Sequence, residues 1–149
     1  MSDMRELYQE VILDHQRHPR NFGKMAHANR HAEGFNPLCG DRVTIYALVE
    51  GDVIRELSFE GSGCAICMSS CSLMTDELKG RSLAEAEALF GRFHDLLTGP
   101  VDESGVEALG KLAVFEGVRE FPVRVKCATL PWHALRAALK DAATRVTTE

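Results

Sequence analysis

Two alternating segments joined by a turn constrain the fold of this 149-residue chain more than any other feature. Val43 to Glu50 is β-branched at Val43, Thr44, Ile45 and Val49. Val53 to Phe59 alternates as well, with Ile54 opposed to Arg55 and Leu57 to Glu56. Glu50-Gly51-Asp52 between them carries turn chemistry, so the pair predicts an antiparallel hairpin. Gly61-Ser62-Gly63 breaks the second strand, and from Cys64 to Leu78 the apolar period becomes helical.

The rest of the chain builds around that hairpin. Asp3 to about Arg17 predicts a helix whose stripe is Leu7, Tyr8, Val11, Ile12 and Leu13. Ser2 or Asp3 can cap it, and His18-Pro19 ends it. Arg20 to Leu38 is polar and rich in His, Asn and Gly, and reads as loop with room for one short strand. After Gly80, Ser82 and Glu85 form a capping box for a helix over Leu83 to Leu97. Thr98 to Gly105 reads as loop, Val106 to Phe115 as a short helix, and Phe121 to Lys126 as extended around Pro122. Cys127 to about Thr144 reads as a last amphipathic helix with Leu130, Leu135 and Leu139 on its apolar side. No repeat or linker divides residues 1–149, which predicts a single domain. Strands grouped before helices predict an α+β fold: a small antiparallel sheet of about three strands with helices packed on one face.

Composition narrows the function. Seventeen basic against twenty-two acidic side chains leave a net charge of −5, which argues against nucleic acid as a partner, since phosphate binding needs a basic footprint. No apolar run approaches the roughly 20 residues that span a membrane. The first residues lack the apolar core of a signal peptide, so the expected compartment is the cytoplasm, where thiols stay reduced. In that setting the five cysteines, an odd number, point to a metal or sulfur site and not to a disulfide framework.

Three segments concentrate the chemistry. In Asn36-Pro37-Leu38-Cys39-Gly40-Asp41, a loop cysteine stands two residues from a carboxylate, and the pair can offer sulfur and oxygen to one ion. A buried loop cysteine beside a turn-capping aspartate is the plainer reading. In Gly61-Ser62-Gly63-Cys64-Ala65-Ile66-Cys67, Cys64 opens a helix, where the dipole and free N–H groups favour a thiolate. Cys64, Cys67 and Cys71 share one helical face. Cys67 and Cys71 read as a small-residue packing stripe, with a metal or redox role for Cys64-x-x-Cys67 as the alternative. In Arg124-Val125-Lys126-Cys127-Ala128-Thr129, Cys127 is expected at a helix start, with Lys126 and Arg124 lowering its pKa. Three thiols and a carboxylate suit zinc or an iron–sulfur cluster, and the inventory alone does not choose between them. The histidines, His15, His18, His27, His31, His94 and His133, read as surface or partner-facing, with His31 the hardest to separate from the site.

Together these motifs resemble the U-type iron–sulfur cluster assembly family (the NifU N-terminal and IscU-like proteins), and within it the SufU branch. The resemblance is carried by Tyr8 to Pro19, Asn36 to Asp41, Gly63-Cys64-Ala65-Ile66 and Lys126-Cys127, and covers nearly the whole chain. Lys126 stands where the IscU branch has a histidine. The 63 positions from Cys64 to Cys127 leave room for an extra helical insertion around Thr98 to Glu116, as in SufU-type chains. Phe121-Pro122-Val123-Arg124 replaces the chaperone-recognition motif of IscU-type scaffolds. Cys67 and Cys71 depart from the small residues usual in the branch.

The resemblance implies zinc on Cys39, Asp41, Cys64 and Cys127. It also implies a sulfurtransferase that accepts persulfide sulfur on Cys39 from a SufS-type pyridoxal-phosphate cysteine desulfurase, for a downstream iron–sulfur assembly scaffold. A desulfurase histidine would take over a zinc position on docking and free Cys39. The alternatives are a scaffold that assembles and transfers a [2Fe–2S] cluster, with iron or the cluster in place of zinc, and, lower, a purely structural zinc site.

Overall fold

The computed structural model describes residues 2–99, 103–140 and 145–147. The chain runs helix α1 (Ser2–Arg17), strands β1 (Arg30–Asn36), β2 (Asp41–Glu50) and β3 (Val53–Ser62), and helices α2 (Ala65–Leu78), α3 (Leu83–Thr98) and α4 (Glu103–Leu109). A 3-10 helix (Gly110–Glu120), helix α5 (Pro122–Leu139) and a short strand β4 (Arg145–Thr147) complete it.

The hairpin forms as its pattern requires. β2 and β3 pair antiparallel from Glu50↔Val53 outward, with an irregularity at Leu48/Val49. The short strand in the 20–38 region is β1, antiparallel to β2 with Asn36 opposite Asp41. β4 adds a parallel fourth strand beside β1, giving the order β3-β2-β1-β4. The expected three antiparallel strands therefore gain a parallel edge that no local pattern announced.

Period-two alternation decides which face is core. Val43, Ile45, Ala47 and Val49 of β2 and Leu57 and Phe59 of β3 are buried in one apolar cluster with residues of α2, α3 and α5, and Ala32 of β1 is buried as well. α5 packs across β1 and β2, α2 packs on β3, and α1 lies against α2. The helical layer closes around aromatics: Phe93 stacks on Trp132 with ring centroids 4.7 Å apart and meets Phe115 edge-on at 5.7 Å. Fully burying one such side chain stabilises the fold by roughly 1.5–3 kcal/mol.

Helix boundaries follow capping chemistry. Ser82 and Glu85 form the expected capping box on α3, and Cys64 is the N-cap of α2. Three expectations fail. The loop read over Thr98 to Gly105 gives way to α4, which starts at Glu103; residues 100–102 lie outside the described segments. The single helix over Val106 to Phe115 is divided at Gly110, whose φ of +56° ends α4 at Leu109 and leaves 3-10 turns to Glu120. Of Phe121 to Lys126, read as extended, only Phe121 is extended, and Pro122 to Lys126 are helical. Pro122 is a helix-start proline, where its fixed φ and missing N–H cost nothing, so α5 begins five residues before Cys127 and ends at Leu139. Of the predicted continuation to Thr144, residues 141–144 lie outside the described segments.

Candidate metal centre

The three motifs meet at one end of the sheet. The Asn36-to-Asp41 connection between β1 and β2 carries Cys39. Gly40 adopts φ +73° there, and its N–H closes onto the Asn36 carbonyl at 2.8 Å. Cys39 is exposed on this turn. Asp41 follows as the first residue of β2 and is fully buried. Its Oδ1 accepts the Cys64 N–H at 2.9 Å, which ties the start of α2 to the end of β2. The Cys64 thiol lies 4.0 Å from Asp41 Oδ2. Gly63 makes this approach possible, because a Cβ there would stand 2.7 Å from Asp41 Oδ1.

Cys127 arrives from α5. Its Sγ lies 3.3 Å from Cys39 Sγ and 3.5 Å from the Asn36 amide nitrogen. The helix positions it through two features. The Ser70 hydroxyl of α2 donates to the Ala128 carbonyl at 2.6 Å, locking α2 to α5 beside the site. Pro131 lacks the N–H that would otherwise bond the Cys127 carbonyl four residues back. Cys127 sits in the second turn of α5 and not at a helix start, so the expected terminal dipole is missing. Arg124 and Lys126 are exposed. Burial, then the Cys39 thiol and the Asp41 carboxylate, push the Cys127 thiol well above its ordinary range. The expected lowering by Lys126 and Arg124 is overturned by desolvation.

Ligand atoms of Cys39, Asp41 and Cys127 all lie within 4.8 Å of one another, and Cys64 joins them through its contact with Asp41. Tetrahedral zinc with sulfur ligands at about 2.3 Å puts neighbouring sulfurs roughly 3.8 Å apart. The spacing here is close to that, and three sulfurs with one carboxylate oxygen suit a thiophilic divalent cation. Such a cation also answers the electrostatic problem of the site, where a buried carboxylate and a buried thiol crowd together.

Asn36 is the residue the sequence reading left without a role. It is fully buried, and its amide reaches both Asp41 Oδ2 and Cys127 Sγ at 3.5 Å while its Oδ1 accepts the Leu38 N–H at 3.2 Å. The Asn-Pro dipeptide signalled a turn, but the bridging needs the β1–β2 register to be known. Cys67 and Cys71 are fully buried in α2, as the packing reading has it. Each histidine falls outside the cluster. His31 stacks on Tyr46 on the opposite sheet face, and His27 pairs with Glu56. His15 corrects the surface reading: it is buried, and its Nδ1 hydrogen-bonds the Ser72 hydroxyl at 2.7 Å.

A buried carboxylate flanked by three thiols on an α+β fold defines a class of thiol-rich, metal-competent proteins. The chain belongs to the NifU-like N-terminal domain family, whose profile matches residues 7–128. It is 39% identical over 129 residues to the zinc-dependent sulfurtransferase SufU of Bacillus subtilis, covering 87% of this chain and 86% of that one. It is 36% identical over 143 residues to the iron–sulfur cluster assembly scaffold protein IscU of Streptococcus pyogenes, covering 96% and 89%. A solved structure described as a candidate SUF-system scaffold protein from Fervidobacterium islandicum superposes with a TM-score of 0.81 at 37% identity, covering 87% of this chain and 94% of that one. Among the described residues no helix is long and apolar enough to cross a membrane.

Proposed function

We propose that this chain is a zinc-dependent sulfurtransferase of iron–sulfur cluster assembly, accepting persulfide sulfur on Cys39 from a SufS-type cysteine desulfurase in the cytoplasm. The observation that carries this reading is the asymmetry of the site: Cys39 is exposed on a glycine turn, while Asp41 and Cys127 beside it are buried. Its likeness to the Bacillus subtilis sulfurtransferase supports the same reading.

Cys39, Asp41, Cys64 and Cys127 would hold the zinc. When bound, it supplies the positive charge that keeps thiols ionised near neutral pH, against a free pKa near 8.5. The residues of the chain do the rest. The Gly40 turn lets Cys39 swing toward a partner. The Cys39 thiolate attacks the terminal sulfur of the desulfurase persulfide, a new S–S bond forms at Cys39, and the desulfurase cysteine leaves as thiolate. Asn36 and the Cys64 N–H keep Asp41 in place while Cys39 is away.

Native mass spectrometry of protein purified in low-metal buffer tests the site, wild type beside Asp41→Ala. One tightly held zinc, weakened or lost without Asp41, supports the proposal. Persulfide transfer then tests the chemistry. A Cys39→Ala protein that still stimulates the cognate desulfurase and still carries labelled sulfur would overturn it.

A second reading is a scaffold on which a [2Fe–2S] cluster is assembled as cargo. It is favoured by the Streptococcus pyogenes relative and by the Cys39, Asp41 and Cys127 cluster with Cys64 against Asp41. Anaerobic reconstitution that yields a cluster transferable to an acceptor would support it. Protein isolated with zinc and forming no cluster would count against it.

A further inference from the structure

Cys64 would hold the zinc, but its pairing with Cys67 is a feature that the sulfurtransferase chemistry does not use. Cys64 is the N-cap of α2, in extended backbone geometry (φ −70°, ψ 167°), and its sulfur accepts the Cys67 N–H at 3.4 Å. The Cys64 sulfur thus caps the first turn of α2, one helical turn before Cys67. Access to the two thiols is unequal. Cys64 is half-buried at the solvent side, whereas Cys67 is sealed in the core beneath it. One turn of helix holds their Cα atoms roughly 5–6 Å apart, inside the span a disulfide bridges. Packing alone requires a small residue at position 67, and it does not require a thiol.

We propose that Cys64 and Cys67 are a dithiol–disulfide pair, a site at which hydroperoxides oxidise this chain reversibly. The Cys64 thiolate attacks the outer oxygen of the hydroperoxide. The O–O bond breaks, Cys64 becomes a sulfenic acid, and the leaving oxygen takes up a proton as alcohol or water. The Cys67 thiol then attacks the Cys64 sulfur. The S–S bond forms, the S–O bond breaks, and hydroxide leaves as water with the Cys67 proton. The two thiols together supply two electrons to the peroxide, and an external dithiol reverses the change by exchange. One consequence rests on the zinc reading above: with Cys64 in a disulfide, Cys39, Asp41 and Cys127 remain as donors and the metal is released. The disulfide itself does not depend on that reading. The buried position of Cys67 makes it the resolving partner and keeps it from the oxidant, so within the pair oxidation begins at Cys64.

The test exposes the full chain, as purified and after chelation, to a few equivalents of hydrogen peroxide, with maleimide quenching and tandem mass spectrometry. Residues 56–79 form one tryptic peptide. The expected result is loss of two hydrogens located between Cys64 and Cys67, reversed by dithiothreitol and retained in Cys71→Ser. Cys67→Ser and Cys67→Ala are expected to lose it and to accumulate at Cys64 a sulfenic acid that dimedone traps, followed by sulfinic acid. Should either variant fail to fold, mapping of the wild-type disulfide decides alone. A disulfide confined to Cys39 and Cys127, or one joining Cys67 to Cys71, overturns the proposal, as does Cys64 oxidation unaltered by either Cys67 variant. Zinc release, read with a chromogenic chelator, is expected in step with the disulfide. A disulfide that forms while zinc stays bound supports the pair and removes Cys64 from the metal site.

Discussion

The sulfurs of Cys39 and Cys127 stand 3.3 Å apart although 88 positions separate them in the chain, and Cys39 is exposed while Cys127 is buried. Bringing them together takes the whole architecture: a turn between β1 and β2, and a helix laid back across those strands. Cobalt(II) added to metal-free protein is expected to bind at this junction with tetrahedral absorption and an intense sulfur-to-metal band. Cys39→Ser and Cys127→Ser should each diminish that band, and Cys71→Ser should leave it unchanged. Equal bands in all four proteins would place the metal elsewhere.

Asn36 has no ligand role, yet its amide spans Asp41 and Cys127. Groups that orient metal ligands typically contribute 10–100-fold in affinity. Asn36→Ala is therefore expected to weaken zinc binding by about 10–100-fold in a chelator competition. A loss of melting temperature with affinity unchanged would make Asn36 a purely structural residue.

Asn36 also marks how far the sequence could be read. Cys39, Asp41 and Cys64 stood out in the sequence because each has a glycine beside it, whereas Cys127 stood out through an expected helix start that the structure moves into the second turn of α5. The hairpin and the α3 capping box were legible because each is decided within a few residues. What escaped depends on remote partners. Pro122 suits both an extended segment and a first helical turn, and only the packing of α5 on β1 and β2 selects the turn. β4 exists through parallel pairing with β1, across more than a hundred residues. The raised Cys127 pKa follows from burial, while its neighbours in sequence, Lys126 and Arg124, point the other way.

Gly63 and Gly91 make a matched pair. A methyl on Gly63 would press on Asp41 Oδ1 from 2.7 Å, whereas one on Gly91, in the middle of α3, meets nothing within 4 Å. Gly63→Ala is expected to destabilise metal-free protein by roughly 1–3 kcal/mol and to weaken zinc binding as Asp41 is displaced. Gly91→Ala should stabilise by about 0.5–1 kcal/mol through helix propensity and leave the metal untouched. Urea unfolding and chelator competition on both variants check the pair; equal effects would mean that the Gly63–Asp41 contact is not the cause.

His15 gives a pH dependence with a definite sign. Its ring is buried between α1 and α2, bonded to a Ser72 hydroxyl that also accepts the Arg20 N–H at 2.8 Å. Burial and then the Arg20 charge hold its pKa below the ordinary 6.5, with Lys111 acting the same way and Asp14 and Asp76 opposing. A histidine whose folded pKa is depressed binds fewer protons folded than unfolded between the two values. Its contribution is thus present above the unfolded pKa of about 6.5 and is lost as pH falls from there toward the folded pKa. His133, also lowered by burial, adds a slope of the same sign. Zinc-free protein is expected to lose stability between about pH 7 and the folded pKa of His15, and His15→Gln should flatten part of that slope while His133→Gln flattens the remainder. Denaturant midpoints measured across that range in all three proteins check it. A slope unchanged in His15→Gln would show that the α1–α2 contact tolerates the charged ring.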